Sequence, residues 1–192
     1  TSQLDSESKT IYDILTMTLS NSLNRGNFSY LSDQLGPATG LQAQLPILLA
    51  EYDLTTKDDI NHYLDLLLCV DDYFQQICDY EVEKAEHGYF MVDEVADSII
   101  AQCNDFIKDP ENNFLITYFN EKINNFGNLS SDGRLIYEEQ NREAVLGSVI
   151  PAYENLIYTL NSLKGTSTNQ NGLCGFEGGK EYYELIAQST TG

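Results

Sequence analysis

Basic residues are scarce in this 192-residue chain: 10 lysines and arginines stand against 30 aspartates and glutamates, a formal net charge of −20. Such a surface repels phosphate backbones and anionic lipid, which argues against nucleic acid and against membrane contact by this chain. Long apolar runs are missing too. The longest, Leu64 to Val70, contains Asp65 and falls far short of the roughly 20 residues that span a bilayer. The opening TSQLDSESK has neither a basic nor an apolar leader segment and no initiator Met, so the chain reads as mature or trimmed, and a precursor's leader stays open. Only two histidines occur, His62 and His87, and neither begins an HExxH. A helix-surface or helix-end role suits both, His87 at a C-terminus where positive charge is favoured. No Cys-x-x-Cys pair exists among Cys69, Cys78, Cys103 and Cys174, which removes the local signatures of zinc knuckles and thioredoxin-type redox sites. The first three lie in helical patterns, and Cys174 lies in a glycine-rich loop. The pairing considered is a Cys103–Cys174 disulfide, against four reduced thiols.

No stretch alternates with period two, whereas period 3.6 recurs along the whole chain, so the fold class is all-α, a multi-helix bundle-like array. Residues 1–192 are long enough for one helical domain or domain fragment. Ile11, Ile14, Leu15, Leu19 and Leu23 form a stripe over Ser6 to Leu23, half a core that needs partners from further along. A short, mostly buried helix is expected around Gln44 to Tyr52, with Pro46 in its first turn. Thr56 caps the next run, which carries Ile60, Tyr63, Leu64, Leu67 and Leu68, and a break falls near Val70. The stripe then continues through Phe74 and Ile77 to His87–Gly88. Val92 to Lys108 has the cleanest pattern, with Val95, Ala96, Ile99 and Cys103, and Asp109–Pro110 stops it. Phe114 to Phe126 points Leu115, Tyr118, Phe119 and Ile123 inward. Ser131 is the expected cap of the longest helix, from about Arg134 to Lys164. Pro151 lies inside that helix and presses on the Gly147 carbonyl, so a kink is expected there.

Motifs of chemistry are few. The acid pairs Asp58–Asp59, Asp71–Asp72 and Glu138–Glu139 lack calcium-loop spacing and read as solvated helix surface. Gly178–Gly179 before a helix could offer backbone amides to an anion, but without a phosphate-loop pattern a cap is the simpler reading. No GxSxG exists. Asn27-Phe28-Ser29 and Asn128-Leu129-Ser130 match glycosylation sequons, a frequent chance match. Cys174 has only Lys180 nearby to activate it, which leaves cysteine catalysis little support.

Two blocks carry a resemblance. LGPATGLQAQLPILLAEY (Leu35 to Tyr52) is similar to the P-x-x-G-x-Q-x-Q-L-P-x-L-L block of the bacterial family of unknown function numbered 885. Pro151-Ala152-Tyr153, then a loop, then the G-G-x-x-Y-Y of Gly178, Gly179, Tyr182 and Tyr183, resembles a second block of it. Lys84 to Met91, Ile100 to Ile107 and Gly172 to Glu184 look like the Gram-positive, gut-type branch. The resemblance implies a largely helical zinc metallopeptidase of the HExxH type, exported or a lipoprotein, hence extracellular or anchored to the envelope. Its HExxH lies beyond the GGxxYY block, so this chain would be the N-terminal helical region, scaffold or one wall of the substrate cleft, and inactive alone. No cofactor is then expected in this chain, zinc belongs to the missing half, and the full-length partner is a peptide substrate. Gly178, Gly179, Tyr182 and Tyr183 are the cleft candidates. Catalytic and metal-ligating residues cannot be carried over. A truncated surface would expose an apolar patch that a homodimer could cover. The other reading is a self-contained helical module that binds a peptide or protein partner in a groove.

Overall fold

The computed structural model describes residues 5–127, 129–167 and 169–191. Asn128, the acceptor of the second sequon, and Gly192 lie outside them. Among the described residues the fold is all-α: α1 (Ser6–Arg25), α2 (Leu41–Glu51), α3 (Lys57–Leu68), α4 (Val70–Glu86), α5 (Asp93–Ile107), α6 (Phe114–Asn124), α7 (Ser131–Ala144), α8 (Ile150–Leu163) and α9 (Gly179–Thr191). They gather into two compact units, one of Thr1–Asp33 with Asn169–Gly192, the other of Gln34–Thr168.

The helix starts of the larger unit are written in its side chains. Thr56 and Asp59 form a reciprocal capping box: Thr56 Oγ1 accepts from Asp59 N at 3.2 Å, and Asp59 Oδ2 accepts from Thr56 N at 2.7 Å. Asn113 is buried and works both ways, accepting from Leu115 N and donating to Phe106 O, which joins the end of α5 to the start of α6. The cap of α7 is Ser130, one residue earlier than expected, because its Oγ accepts from Gly133 N at 3.1 Å.

The core of this unit lies around α8, which packs against α4 and α5. Ile60, Leu67, Phe74, Ile99, Cys103, Leu115, Leu156 and Leu160 are fully sealed. At about 1.5–3 kcal/mol per large apolar side chain, that set supplies the main drive for folding. Tyr153 sits at its centre, with ring centroids 4.7 Å from Phe74 and 4.4 Å from Phe106. Tyr118, expected inward, is 53% exposed and its neighbour Phe119 takes the buried place, stacked on Tyr63 at 5.2 Å.

Where a kink was expected at Pro151, the helix takes a π turn, Val145–Val149, which joins α7 to α8. Ile150 N donates to Val145 O, five residues back, so one extra residue is absorbed just ahead of the proline. Ser148 in that turn donates to Leu67 O at 2.9 Å, capping the last turn of α3 where it breaks into α4.

The smaller unit is built differently. α1 packs on α9, with Asp5 capping α1 through Ser8 N at 2.8 Å. Arg25, in the last turn of α1, donates to Ser189 Oγ in α9. Yet the α1 stripe stays in water: Ile11, Ile14, Leu15, Leu19 and Leu23 are 53, 54, 54, 62 and 78% exposed. The helix expected there forms, but among the described residues its apolar face finds no cover.

Candidate functional site

Gly178, Gly179, Tyr182 and Tyr183 all belong to the smaller unit, at the start of α9. Gly178 has φ +74°, and a Cβ there would come within 2.9 Å of the Phe28 ring. A Cβ on Gly179 would meet the Leu173 carbonyl oxygen at 1.9 Å, so no side chain fits. Tyr182 is buried, with its ring centroid 5.8 Å from that of Phe28. Three of the four residues are therefore taken up in packing. Tyr183, one position on, points the other way and is 64% exposed. Cys174 is exposed and donates its thiol to Asn171 O at 3.1 Å, whereas Cys103 is fully buried in the larger unit. Both are free thiols, as are Cys69 and Cys78, so the Cys103–Cys174 disulfide is not formed. Packing accounts for Cys103: it sits sealed in the α5 core stripe, and burial pushes its thiol up to about 12.

The first family-like block and the Pro151-Ala152-Tyr153 part of the second meet in the core of the larger unit. Helix α2 begins at Leu41, earlier than expected, which leaves Pro46 in its interior rather than its first turn. A proline there supplies no N–H to the carbonyl four residues back, that of Gln42. The Tyr153 hydroxyl supplies the donor instead, reaching Gln42 O at 2.7 Å. Burial holds the Tyr153 hydroxyl protonated well above its usual range, which keeps it a donor. The buried Gln42 side chain donates to Gly36 O at 2.7 Å and to Gln102 Oε1 at 2.9 Å, and Gln102 in turn donates to Pro37 O at 2.5 Å. Gly40 completes the knot, since a Cβ there would lie 2.1 Å from Gln42 Oε1 and 2.2 Å from Gly36 N. The function of this knot is to fix the loop before α2.

Several concave surfaces lie on the larger unit. A cleft of about 680 Å³ is bordered by Asp53, Thr55, Tyr118, Glu121, Lys122 and Asn125. Lys122 is committed within it, donating to Ala50 O at 2.6 Å and Tyr52 O at 2.7 Å and so capping the C-terminus of α2. A second groove, of about 530 Å³, runs between α3 and the end of α7, with Leu64, Leu68, Ala144 and Gly147 as its apolar surface. His62 stands exposed on α3, and His87 closes α4 with its Nδ1 2.8 Å from Glu83 O. Among the described residues no three His, Cys, Asp or Glu side chains gather to hold a metal.

The family model described as "Bacterial protein of unknown function (DUF885)" matches residues 1–192. The chain belongs to the DUF885 family. No curated protein matches the sequence. A crystal structure from Colwellia psychrerythraea, described as a candidate lipoprotein, is similar to it at TM-score 0.75 and 18% identity over 80% of this chain. The DUF885 chain spans 26% of the length of that protein, and the likeness is one of fold. Reading the residues alone missed the Gln42–Tyr153 contact. Its signal was present: an interior proline at 46 orphans the carbonyl of residue 42, and a core tyrosine is the donor such a carbonyl needs.

Proposed function

We propose that this DUF885 chain is the N-terminal helical region of an envelope-associated, zinc-metallopeptidase-like protein, serving as scaffold or as one wall of its substrate cleft. Zinc and the HExxH belong to the remainder of that protein, which would cleave peptides, and this region alone is inactive. The observation that carries the reading is the uncovered stripe on α1, an apolar face built at core spacing but more than half exposed at each of its five positions. It is supported by family membership and by a structural relative of which the chain spans 26%. That relative's description as a candidate lipoprotein supports the envelope placement. Of the four cleft candidates, Tyr183 has the side chain free to meet a substrate, while Gly178, Gly179 and Tyr182 hold its helix in place.

The test is made on the native reading frame. Expressed whole, the protein should contain one zinc per chain and hydrolyse peptides, and both should vanish when the histidines of an HExxH following residue 192 are replaced. A frame without that motif, or a whole protein free of zinc, overturns the peptidase reading and leaves the helical binding module. Stoichiometric zinc on residues 1–192 alone would place the metal in the wrong half and overturn it as well.

A further inference from the structure

The groove between α3 and α7 has features that the fold does not use. Asn61, Leu64, Asp65 and Leu68 face it from α3 at helical spacing, and Gln140, Glu143, Ala144 and Gly147 face it from α7 and the π turn. Gly147 is its most informative residue. Its backbone needs no positive φ, and a Cβ built on it would meet nothing within 4 Å. A glycine inside a helix is destabilising relative to alanine. Here that loss leaves open space above the small residues Ala144 and Gly147, which form one side of the groove. The π turn beneath it re-aims the helix at the same place, and such turns recur at functional sites. Opposite stands Leu68, a large apolar side chain 60% exposed.

The rim is of one sign. Asp65 and Glu143 are exposed carboxylates, neither is in an ion pair among the described residues, and no basic side chain lines the groove. An apolar floor of this size with two free carboxylates beside it complements one chemistry, an apolar side chain flanked by positive charge. We propose that this groove seats a peptide segment by inserting one leucine- or phenylalanine-sized side chain over Gly147, between Leu64 and Leu68, with a neighbouring lysine or arginine held by Asp65 and Glu143. The assignment does not rest on the peptidase reading, because every residue in it lies on this chain and no metal is involved.

The experiment uses residues 1–192 and three fluorescein-labelled peptides, acetyl-Gly-Lys-Leu-Lys-Gly-amide and its Glu-Leu-Glu and Lys-Ala-Lys counterparts, followed by fluorescence anisotropy. The Lys-Leu-Lys peptide should bind about tenfold or more tightly than either counterpart, and weaken as NaCl rises from about 50 to about 500 mM. Net charge alone would attract any cationic peptide, so the deciding variant is Gly147→Leu, which adds no charge and fills the space. It should abolish Lys-Leu-Lys binding while circular dichroism stays as in the parent and the melting temperature does not fall. Asp65→Asn with Glu143→Gln should weaken binding several-fold and flatten the salt dependence. Should Gly147→Leu disturb the fold, Gly147→Ala with Leu68→Ser serves in its place, and an intact pair of this kind must also lose affinity. Equal binding of the Lys-Leu-Lys and Lys-Ala-Lys peptides, binding indifferent to both groove variants, or no binding at about millimolar peptide overturns the proposal. So does a concentration-dependent dimer that Gly147→Leu abolishes, which would assign the groove to a second copy of the chain.

Discussion

Helices α1 and α5 carry the same kind of sequence and meet opposite fates. α5 sets Ala96, Ile99 and Cys103 on one stripe, and all three are sealed from solvent. α1 sets Ile11, Ile14, Leu15, Leu19 and Leu23 on a stripe at least as regular, and each is more than half exposed. The two lie in different compact units: the larger has a continuous apolar core around α8, whereas the described residues of the smaller unit bury few apolar side chains, Tyr182 of α9 and Leu31 of the turn after α1. The difference teaches that periodicity fixes which face of a helix is apolar but says nothing of whether this chain supplies the cover. An uncovered face at core spacing is a demand for a partner.

The sharpest way to break the contrast is thiol labelling. Cys103 has burial and a raised pKa against its reaction, and Cys174 is exposed. Under native conditions at pH 8, Cys174 should react with a maleimide or disulfide reagent at least a thousandfold faster than Cys103, which waits for an opening of the core. Mass spectrometry of pulse-labelled protein checks this. Comparable rates would mean that Cys103 is reached without an opening of the core. Next in size are paired truncations. Ile99→Ala should cost about 2–5 kcal/mol in urea unfolding, and Leu15→Ala less than about 1 kcal/mol. Equal costs would show that the α1 stripe is covered in solution, and a shift to monomer in Leu15→Ala would identify the cover as a second copy.

How much of this was legible beforehand follows the same division. The all-α class, the α3–α4 break and the ends of α5 were readable because they depend on local devices: stripes, the Thr56 cap, Asp109–Pro110. The long helix was read as kinked at Pro151, but the π turn was not foreseen, because the choice between a kink and an absorbed residue depends on contacts such as that of Ser148 with Leu67. Tyr118 and Phe119 were both read as inward, and only Phe119 is buried, because both are aromatic and the position of Tyr63 decides which one is covered. The GGxxYY residues could be named but not sorted. That Gly179 abuts Leu173 O and Gly178 abuts Phe28 depends on the path of the loop, to which helical spacing gives no access. The disulfide failed for the same reason, since a cysteine's neighbours in sequence do not tell what its thiol faces.

A third test compares one buried tyrosine from each unit. Tyr153 satisfies a carbonyl that Pro46 has orphaned, and Tyr153→Phe leaves that carbonyl buried without its donor. A loss of about 1–3 kcal/mol is expected. Tyr182 is buried against Phe28 through its ring, so Tyr182→Phe should cost about 0.5 kcal/mol or less. If Tyr182→Phe proves the more damaging, the smaller unit relies on a polar contact that its ring packing does not reveal.

The smallest expected effects concern the caps. Thr56→Ala removes one half of the capping box on α3 and should cost about 1 kcal/mol. Asp59 and Asp5 make the corresponding carboxylate contacts in the two units, and hydrogen bonds from the backbone, of Thr56 and of Ser8 respectively, hold both carboxyls below the ordinary aspartate range. A folded-state value below the unfolded one means that each contributes stability above pH about 3.8, lost as pH falls through the lowered value. The structural consequence should differ even though the carboxylates behave alike. The Asp59 cap sits on a helix whose Ile60 and Leu67 are sealed, so α3 should stay helical until the larger unit unfolds as a whole. The Asp5 cap sits on a helix with an uncovered face, so α1 should fray first. Amide exchange followed from pH 5 down to pH 3, corrected for the intrinsic pH dependence of exchange, separates the two: protection at Lys9 and Thr10 should fall before protection at Ile60 and Asn61. Simultaneous loss would mean that α1 is held by more than its own cap and its packing on α9, and so that the face left open in this chain is closed in solution.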